Sequence, residues 1–311
     1  MINKKPIISR FAPSPSGIMH LGNIATALLT WLDARSADGK IVFRMEDLDP
    51  DRSSTEFAHG IADDLRFLGL DWDEGWNKEH TSEYAQSNRN ELYDEAFQML
   101  LNRDMLYPCY CSRSQRLAAS APHPDEPRSD SGCKCRHLSP AERAELEACG
   151  KKPAWKVKVP DKEIAFTDYN YGLQRENLAD GGDFIIKRSD GVYAYQLAAS
   201  FDDMDMGITR VVRGRDLLSS TARQIWLINE LGGTPPEYCH APLIVSADKR
   251  KMSKRDGALN IKMLRMQYSA EEIIGMLAKY LNLGSGEPAT PQNLLRNFDW
   301  SRVPKTDVII K

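Results

Sequence analysis

Three groups of residues in this chain have types and spacings that could do chemistry. The first is Arg10–Asn23, RFAPSPSGIMHLGN. A β-prone run, Ile7–Phe11, stops at Pro13 and Pro15, which cannot continue a central strand. After Gly17, apolar residues recur at helical spacing: Leu21, Ile24, Ala25, Leu28, Leu29 and Leu32. A helix starting at His20–Asn23 presents backbone N–H groups and the positive end of its dipole, which suit a phosphate. His20 and Asn23 stand there as further donors. The second group is Lys251–Arg255, KMSKR, preceded by Asp248, Lys249 and Arg250. Lys251 and Lys254 bracket a serine and can neutralise the charge that builds on a triphosphate attacked at its α-phosphorus. The third is a double pair of thiols, Cys109-Tyr-Cys111 and Cys133-Lys-Cys135, separated by residues 112–132. Four thiolates in two close pairs suit a tetrahedral zinc ion. Each group alone also has a plainer reading: a strand–helix turn with an ordinary histidine, a solvated basic loop, or unpaired cysteines in a loopy insertion.

The elements that must position these groups follow from pattern. Ile41–Met45 (IVFRM) reads as a second strand, and Ser53-x-x-Glu56 as the capping box of a helix carrying Phe57, Ile61, Leu65 and Leu68. Strand, helix, strand, helix is the opening of a parallel, doubly wound α/β sheet. A longer helix is predicted over Glu83–Leu101, and the Pro-, Asp- and Ser-rich stretch Ser120–Ser131 reads as a loop within the cysteine-bearing segment. From Asp183 onward DFIIKR, VYAYQLAASF and ITRVVRG carry β signals. A helix over Ser220–Leu231 follows, then PLIVS (Pro242–Ser246) leads into the basic loop, and Ser269-x-x-Glu272 caps a further helix. The expected division is 1–105 and 183–240 as two halves of a catalytic domain, 106–182 as an insertion, and 241–311 as the basic loop with a small helical region.

Composition sets outer limits. With 311 residues, 41% hydrophobic and 27% charged, the chain can fold as one or two soluble domains. A net charge of −3 means that any nucleic-acid surface must be a local patch. The N-terminus has no apolar stretch of signal-peptide length, and no apolar run is long enough to cross a bilayer. A cytoplasmic protein without a membrane partner is expected, in which six cysteines favour metal over disulfides.

Taken together, HLGN after a PSPSG turn and the later KMSKR resemble the HIGH and KMSKS signatures of class I aminoacyl-tRNA synthetases. RFAPSPSG, RMEDLDPDRS, AYQLAASFDD and VVRGRDLL are similar to the glutamyl branch, and the matches run from Arg10 to Arg255. The resemblance implies a Rossmann-like fold that binds ATP, with Mg, between the two signatures and makes glutamyl-adenylate with release of pyrophosphate. It implies that Arg10, Phe11, Ala12, Pro13, Ser14, Glu46, Tyr195 and Arg213 form the L-glutamate site. It also implies that His20, Asn23 and Lys254 contact ATP, and that His20, Lys251 and Lys254 are catalytic. The residue types agree: Arg10 and Arg213 can each grip a carboxylate, Glu46 can hold the ammonium, and Tyr195 adds a hydroxyl. Asn23 stands where the class signature has His, and Arg255 where it has Ser; both variants occur in the glutamyl branch.

The same branch carries a zinc-bearing insertion, often Cys-x-Cys followed by Tyr and Cys. Cys135 matches the last ligand, whereas Ser131 stands at the tyrosine position. Cys109, Cys111, Cys133 and Cys135 are therefore the candidate set for one structural zinc, with His137 as the alternative to Cys133. Beyond Arg255 the sequence offers room for only a small helical piece. This resembles the shorter family of glutamyl-queuosine tRNA(Asp) synthetases, which attach glutamate to the queuine-derived base at the first anticodon position of tRNA(Asp). Alternatives are a conventional glutamyl-tRNA synthetase, a non-catalytic paralogue that binds tRNA or amino acid, and a glutaminyl enzyme.

Overall fold

Each apolar run of the first fifty residues becomes a parallel strand or a helix laid against one. The computed structural model describes residues 6–77, 83–111, 133–246 and 260–310. Strand β1 (Ile8–Phe11) pairs in parallel with β2 (Lys40–Phe43), and β2 with β3 (Glu74–Gly75). Helix α1 (Leu21–Ser36) connects β1 to β2 and buries Leu21, Ile24, Ala25, Leu28, Leu29 and Leu32, the stripe whose spacing predicts it. Helix α2 (Thr55–Phe67) is capped by Ser54, not by the expected Ser53; Ser54 Oγ accepts from the Glu56 amide at 3.2 Å. Ser53 is occupied in the preceding turn, where its amide donates to the Asp49 carbonyl at 3.0 Å. Helix α3 (Asn90–Asn102) begins later than Glu83 because residues Gln86–Asn88 form a separate 3-10 turn.

The middle of the chain builds a second layer. Strands β4 (Leu106–Cys109), β5 (Ala154–Val157) and, later, β8 (Phe184–Lys187) form an antiparallel sheet, with α4 (Pro140–Ala148) between the first two. Strands β6 (Glu163–Asp168) and β7 (Gly172–Asn177) form a hairpin that leads into the short α5 (Leu178–Gly181). VYAYQLAASF is not a strand beyond its first residues: α6 runs from Tyr195 to Asp205. Gln196, Leu197, Ala198, Ala199, Ser200, Asp202 and Asp203 are all buried, so the helix is enclosed nearly all round and shows no amphipathic period.

Strand β9 (Arg210–Gly214), α7 (Thr221–Glu230) and β10 (Glu237–Ala241) return the chain to the parallel layer, with β9 and β10 in parallel register and the sheet ordered β7-β6-β10-β9. The Thr209 amide donates to the Ile8 carbonyl at 2.9 Å, which lays β9 beside β1. After β11 (Ile244–Val245), the chain continues through α8 (Ile261–Arg265), α9 (Ala270–Tyr280) and α10 (Pro291–Leu295). The Ser269–Glu272 capping box forms as predicted. Strand β12 (Val308–Ile309) pairs with β11, and Trp300 Nε1 donates to Asp33 Oδ1 at 2.7 Å, which fastens the C-terminal region to α1. No described helix is long and apolar enough to cross a membrane.

The two halves of the parallel layer are joined by charge as well as by packing. Arg44, at the end of β2, is fully buried, with its guanidinium 2.8 Å from Asp203, 3.1 Å from Glu46 and 3.7 Å from Asp202. Asp202 also receives Arg89 at 2.8 Å, Gln86 at 2.7 Å and the Tyr93 hydroxyl at 2.9 Å. Asp203 also holds Arg10, at 3.2 Å. Burial opposes ionisation of Asp203, yet Arg10 and Arg44 hold it below the ordinary carboxylate range. Removing one member of such a cluster leaves buried charges unpaired. Arg44→Ala is expected to destabilise the fold by roughly 3–5 kcal/mol, read as a lower midpoint in chemical denaturation.

Candidate amino-acid and nucleotide site

A cavity of about 390 Å³ opens where the parallel strands β1, β2 and β9 end, and it is lined by Arg10, Phe11, Ala12, Pro13, Ser14, Glu46, Tyr195 and Arg213 together with His20 and Asn23. Ligands of open parallel sheets bind beyond the carboxyl ends of the strands, because the loops there leave a crevice. Backbone bonds hold the loop after β1 in place. The Arg44 amide donates to the Phe11 carbonyl at 2.8 Å, Glu46 to Pro13 at 2.9 Å and Ser54 to Pro15 at 3.0 Å.

At the start of α1, His20 and Asn23 cap each other. His20 Nδ1 accepts from the Asn23 amide at 3.3 Å, and Asn23 Oδ1 accepts from the His20 amide at 3.1 Å. The expected row of donors is therefore shorter than the sequence suggests: the Asn23 amide is taken, and Leu21 and Gly22 are the amides ahead of it. With Nδ1 accepting, a neutral His20 carries its proton on Nε2. Gly22 makes room for the ring, since a Cβ there would stand 3.0 Å from His20 Cε1.

Lys251 and Lys254 lie outside the described residues. The segments that flank them do not. Asn260 bridges His20, the Ile261 amide donates to the Met19 carbonyl at 2.9 Å, and Ile244 lines the same cavity. The described residues on either side, Ile244 and then Asn260 and Ile261, thus lie beside the start of α1.

The arginines and the glutamate differ in what already holds them. Arg44 is paired with carboxylates on three sides and does not line the cavity. Arg10 is paired with Asp203 through Nε, and its Nη1 donates to the Val212 carbonyl at 3.0 Å. Glu46 touches Arg44; burial raises its pKa above the ordinary carboxylate value, against the pull of Arg44 and Arg10. Arg213 differs from the other two arginines. Its Nε donates to His240 Nε2 at 3.0 Å, Nη1 to Gln224 Oε1 at 2.5 Å, and Nη2 to Thr221 Oγ1 at 2.8 Å and the Leu217 carbonyl at 3.2 Å. Among the described residues no carboxylate is in ion-pair contact with it. A guanidinium only 4% exposed, aimed by neutral acceptors at the wall of a cavity, is suited to an anionic ligand group. Burial keeps the Tyr195 phenol neutral, as a possible donor beside Arg213, Glu46 and Arg10.

Sequence reasoning did not single out Arg44, Asp202, Asp203, Arg89, His240 or Asp168. The available signal was the adjacent pair Asp202–Asp203 directly after an apolar run, a costly placement unless both carboxylates are paired.

The four sulfurs form a separate site at the end of β4. Cys109 and Cys133 are 3.7 Å apart, Cys111 and Cys133 3.5 Å, and Cys111 and Cys135 3.8 Å. These are far longer than a disulfide bond and close to the edge of a tetrahedron of sulfurs, ~3.8 Å, set by zinc–sulfur bonds of about 2.3 Å. All four Sγ atoms lie within 4.8 Å of one another, so the set is complete with Cys133 and without His137. Among the described residues the surrounding apolar cluster has Tyr107, Cys109 and Cys135 at its buried centre. α4 buries no residue at all. A metal fits four thiols gathered at this spacing, and would order the segment that carries them.

Comparison with known proteins places the chain in a family. The family model described as tRNA synthetases class I (E and Q), catalytic domain, matches residues 6–306. A protein of Symbiobacterium thermophilum named glutamyl-Q tRNA(Asp) synthetase is 47% identical over 311 residues, covering 98% of this chain and 96% of its own. Its namesake in Nitratidesulfovibrio vulgaris is 46% identical over 276 residues, or 88% of this chain and 85% of that one. Among solved structures, a glutamate tRNA ligase from Elizabethkingia meningosepticum, in complex with its amino acid, superposes with a TM-score of 0.81 at 25% identity. The match covers 99% of this chain and 67% of that ligase.

Proposed function

This chain belongs to the class I tRNA synthetases of the glutamate and glutamine branch, and we propose that it activates L-glutamate with ATP and transfers it to the queuosine base of tRNA(Asp). The observation that carries the choice of amino acid is Arg213, a buried cation whose hydrogen-bond partners among the described residues are all neutral, in one cavity with Arg10 and Glu46. In this reading Arg213 and Arg10 take the carboxylates of the substrate, and Glu46 and Tyr195 attend to its ammonium, with Phe11, Ala12, Pro13 and Ser14 as the wall. Neutral glutamine would leave a buried charge unmatched.

ATP lies between the start of α1, with His20 and Asn23, and the basic segment bearing Lys251 and Lys254. A carboxylate oxygen of glutamate attacks the α-phosphorus, the bond to the bridging oxygen breaks, and pyrophosphate leaves with Mg. Lys254 and Lys251 stabilise the charge gathered on the phosphates. A hydroxyl of the acceptor base then attacks the acyl carbon and AMP departs. The relatives named glutamyl-Q tRNA(Asp) synthetase support tRNA(Asp) as the acceptor. Zinc, held by Cys109, Cys111, Cys133 and Cys135, is structural in this reading, because four sulfurs fill its coordination.

Glutamate-dependent ATP–pyrophosphate exchange tests the first step. Arg213→Ala is expected to lower kcat/KM for glutamate at least about a hundredfold, the loss of roughly 3 kcal/mol or more for one partner of a buried charge pair. ATP binding should persist, and lost ATP affinity with normal glutamate affinity would contradict the assignment. Acid-gel separation of radiolabelled glutamate on tRNA(Asp) tests the second step. Label is expected on queuosine-containing tRNA(Asp) and not on the unmodified transcript; equal charging of both favours a conventional 3′-end synthetase. Elemental analysis should find about one zinc per chain, with Cys135→Ala losing the metal and melting at a lower temperature.

A further inference from the structure

Behind Arg213, a buried chain of three side chains runs across adjacent strands. β6 ends at Asp168, which pairs with Tyr238 of β10; within β10 and β9, His240 stands opposite Arg213. Asp168, His240 and Arg213 are 1%, 0% and 4% exposed. Asp168 Oδ2 lies 2.6 Å from His240 Nδ1, and Arg213 Nε lies 3.0 Å from His240 Nε2. Asp168 Oδ1 accepts the amides of Asn170 at 3.0 Å, Tyr171 at 2.9 Å and His240 at 3.4 Å.

A guanidinium can only donate, so His240 Nε2 must accept and Nδ1 must carry the proton. That proton points at the one oxygen of Asp168 not taken by backbone amides. We propose that Asp168 and His240 are positioning residues for glutamate selection: Asp168 fixes His240 as the Nδ1–H tautomer, whose Nε2 holds Arg213 toward the cavity without neutralising it. This rests on the reading of Arg213 as the carboxylate-binding residue. A carboxylate in place of His240 would aim the guanidinium equally well and cancel the charge it offers to substrate. A protonated imidazole would have no acceptor and would add a second cation. Burial pushes the His240 pKa down to about 4, Arg213 adding to this against the pull of Asp168, so the ring is neutral at physiological pH. The other groups facing the ring are neutral, with Tyr238 stacked on it and Thr221 Oγ1 3.4 Å from Nε2, while Asp216 acts on it only at longer range.

Asp168→Asn is the informative substitution. The three backbone amides keep the amide oxygen at the Oδ1 position, so the new NH2 faces His240 Nδ1 and donates to it. The ring proton is then forced onto Nε2, where it opposes Arg213 Nε–H, the same wrong-tautomer logic that governs an Asp–His pair in hydrolases. The expected result in ATP–pyrophosphate exchange is a rise in KM for glutamate of at least about tenfold, the scale of one hydrogen bond to a charged group. Maximal rate and KM for ATP should move by less than about twofold, a split that general loosening of the fold would not produce.

Arg213→Lys keeps the charge and cannot make the Nε bond, so in that background Asp168→Asn should add little. An undiminished effect there, or an unchanged KM in Asp168→Asn alone, overturns the proposal. If Arg213→Lys itself leaves glutamate KM unchanged, the pocket reading fails instead. His240→Gln retains an acceptor and should exceed His240→Phe in glutamate affinity; equal losses count against the relay. Nitrogen-15 NMR of the unmodified protein gives a direct check that needs no variant: a proton on Nδ1 of His240 supports the relay, and one on Nε2 refutes it.

Discussion

Putting several arginines out of water beneath one cavity is the constraint on which this architecture turns. Each buried guanidinium needs acceptors for its N–H groups and, unless a ligand supplies it, a negative charge. The protein meets that need in graded fashion. Arg44 receives carboxylates on three sides and serves as structure. Arg10 receives one and lines the cavity. Arg213 receives none among the described residues, only neutral acceptors. The same side-chain type thus runs from strut to receptor as carboxylate partners are withdrawn.

The parallel sheet makes this gradation possible. Arg10 and Arg44 sit at the carboxyl ends of β1 and β2, and Arg213 near that of β9, so three cations reach one level from separate stretches of chain. Arg10 and Arg44 share counter-charges from the Asp202–Asp203 turn of α6, whose first residue is Tyr195, and Arg44 takes a further one from Glu46. A single enclosed helix therefore presents the phenol at one end and the carboxylates at the other. Moving it would disturb the pocket wall and its electrostatic floor together.

How much of this the sequence reveals depends on what kind of force places each residue. The strands at Ile8 and Lys40, α1, and the α9 cap at Ser269 were legible because local periodicity and capping chemistry decide them. The four cysteines were legible because thiols in two close pairs have few other uses. Helix α6 was misread, since burial on every side erases the period that marks a helix, and its Tyr, Leu and Phe residues carry β signals as well. The ionic floor was invisible for the opposite reason: Arg44, Asp202 and Arg89 look like surface residues until tertiary pairing shows what neutralises them. His240 illustrates the same limit. One histidine in EYCHA says nothing until strand register sets it between Asp168 and Arg213.

The cysteine cluster joins this scheme through the antiparallel sheet. Strand β4 ends at Cys109 and pairs with β5, which pairs in turn with β8. Cys135 lies next to Arg136, whose Nη1 reaches both oxygens of Asp183 at 3.2 Å, just before β8 begins, while Asp183 also accepts the Val159 amide at 2.8 Å. At the far end of β8, Arg188 donates to Asp49 at 3.0 Å, in the loop that follows Glu46, and the chain then enters α6 at Tyr195. Whatever draws the four sulfurs together therefore also anchors the strand that leads to both sides of the amino-acid cavity. No residue of the β4-β5-β8 sheet lines the cavity itself, so a metal at the four sulfurs would bear on it only indirectly, through β8 and the Arg188–Asp49 contact.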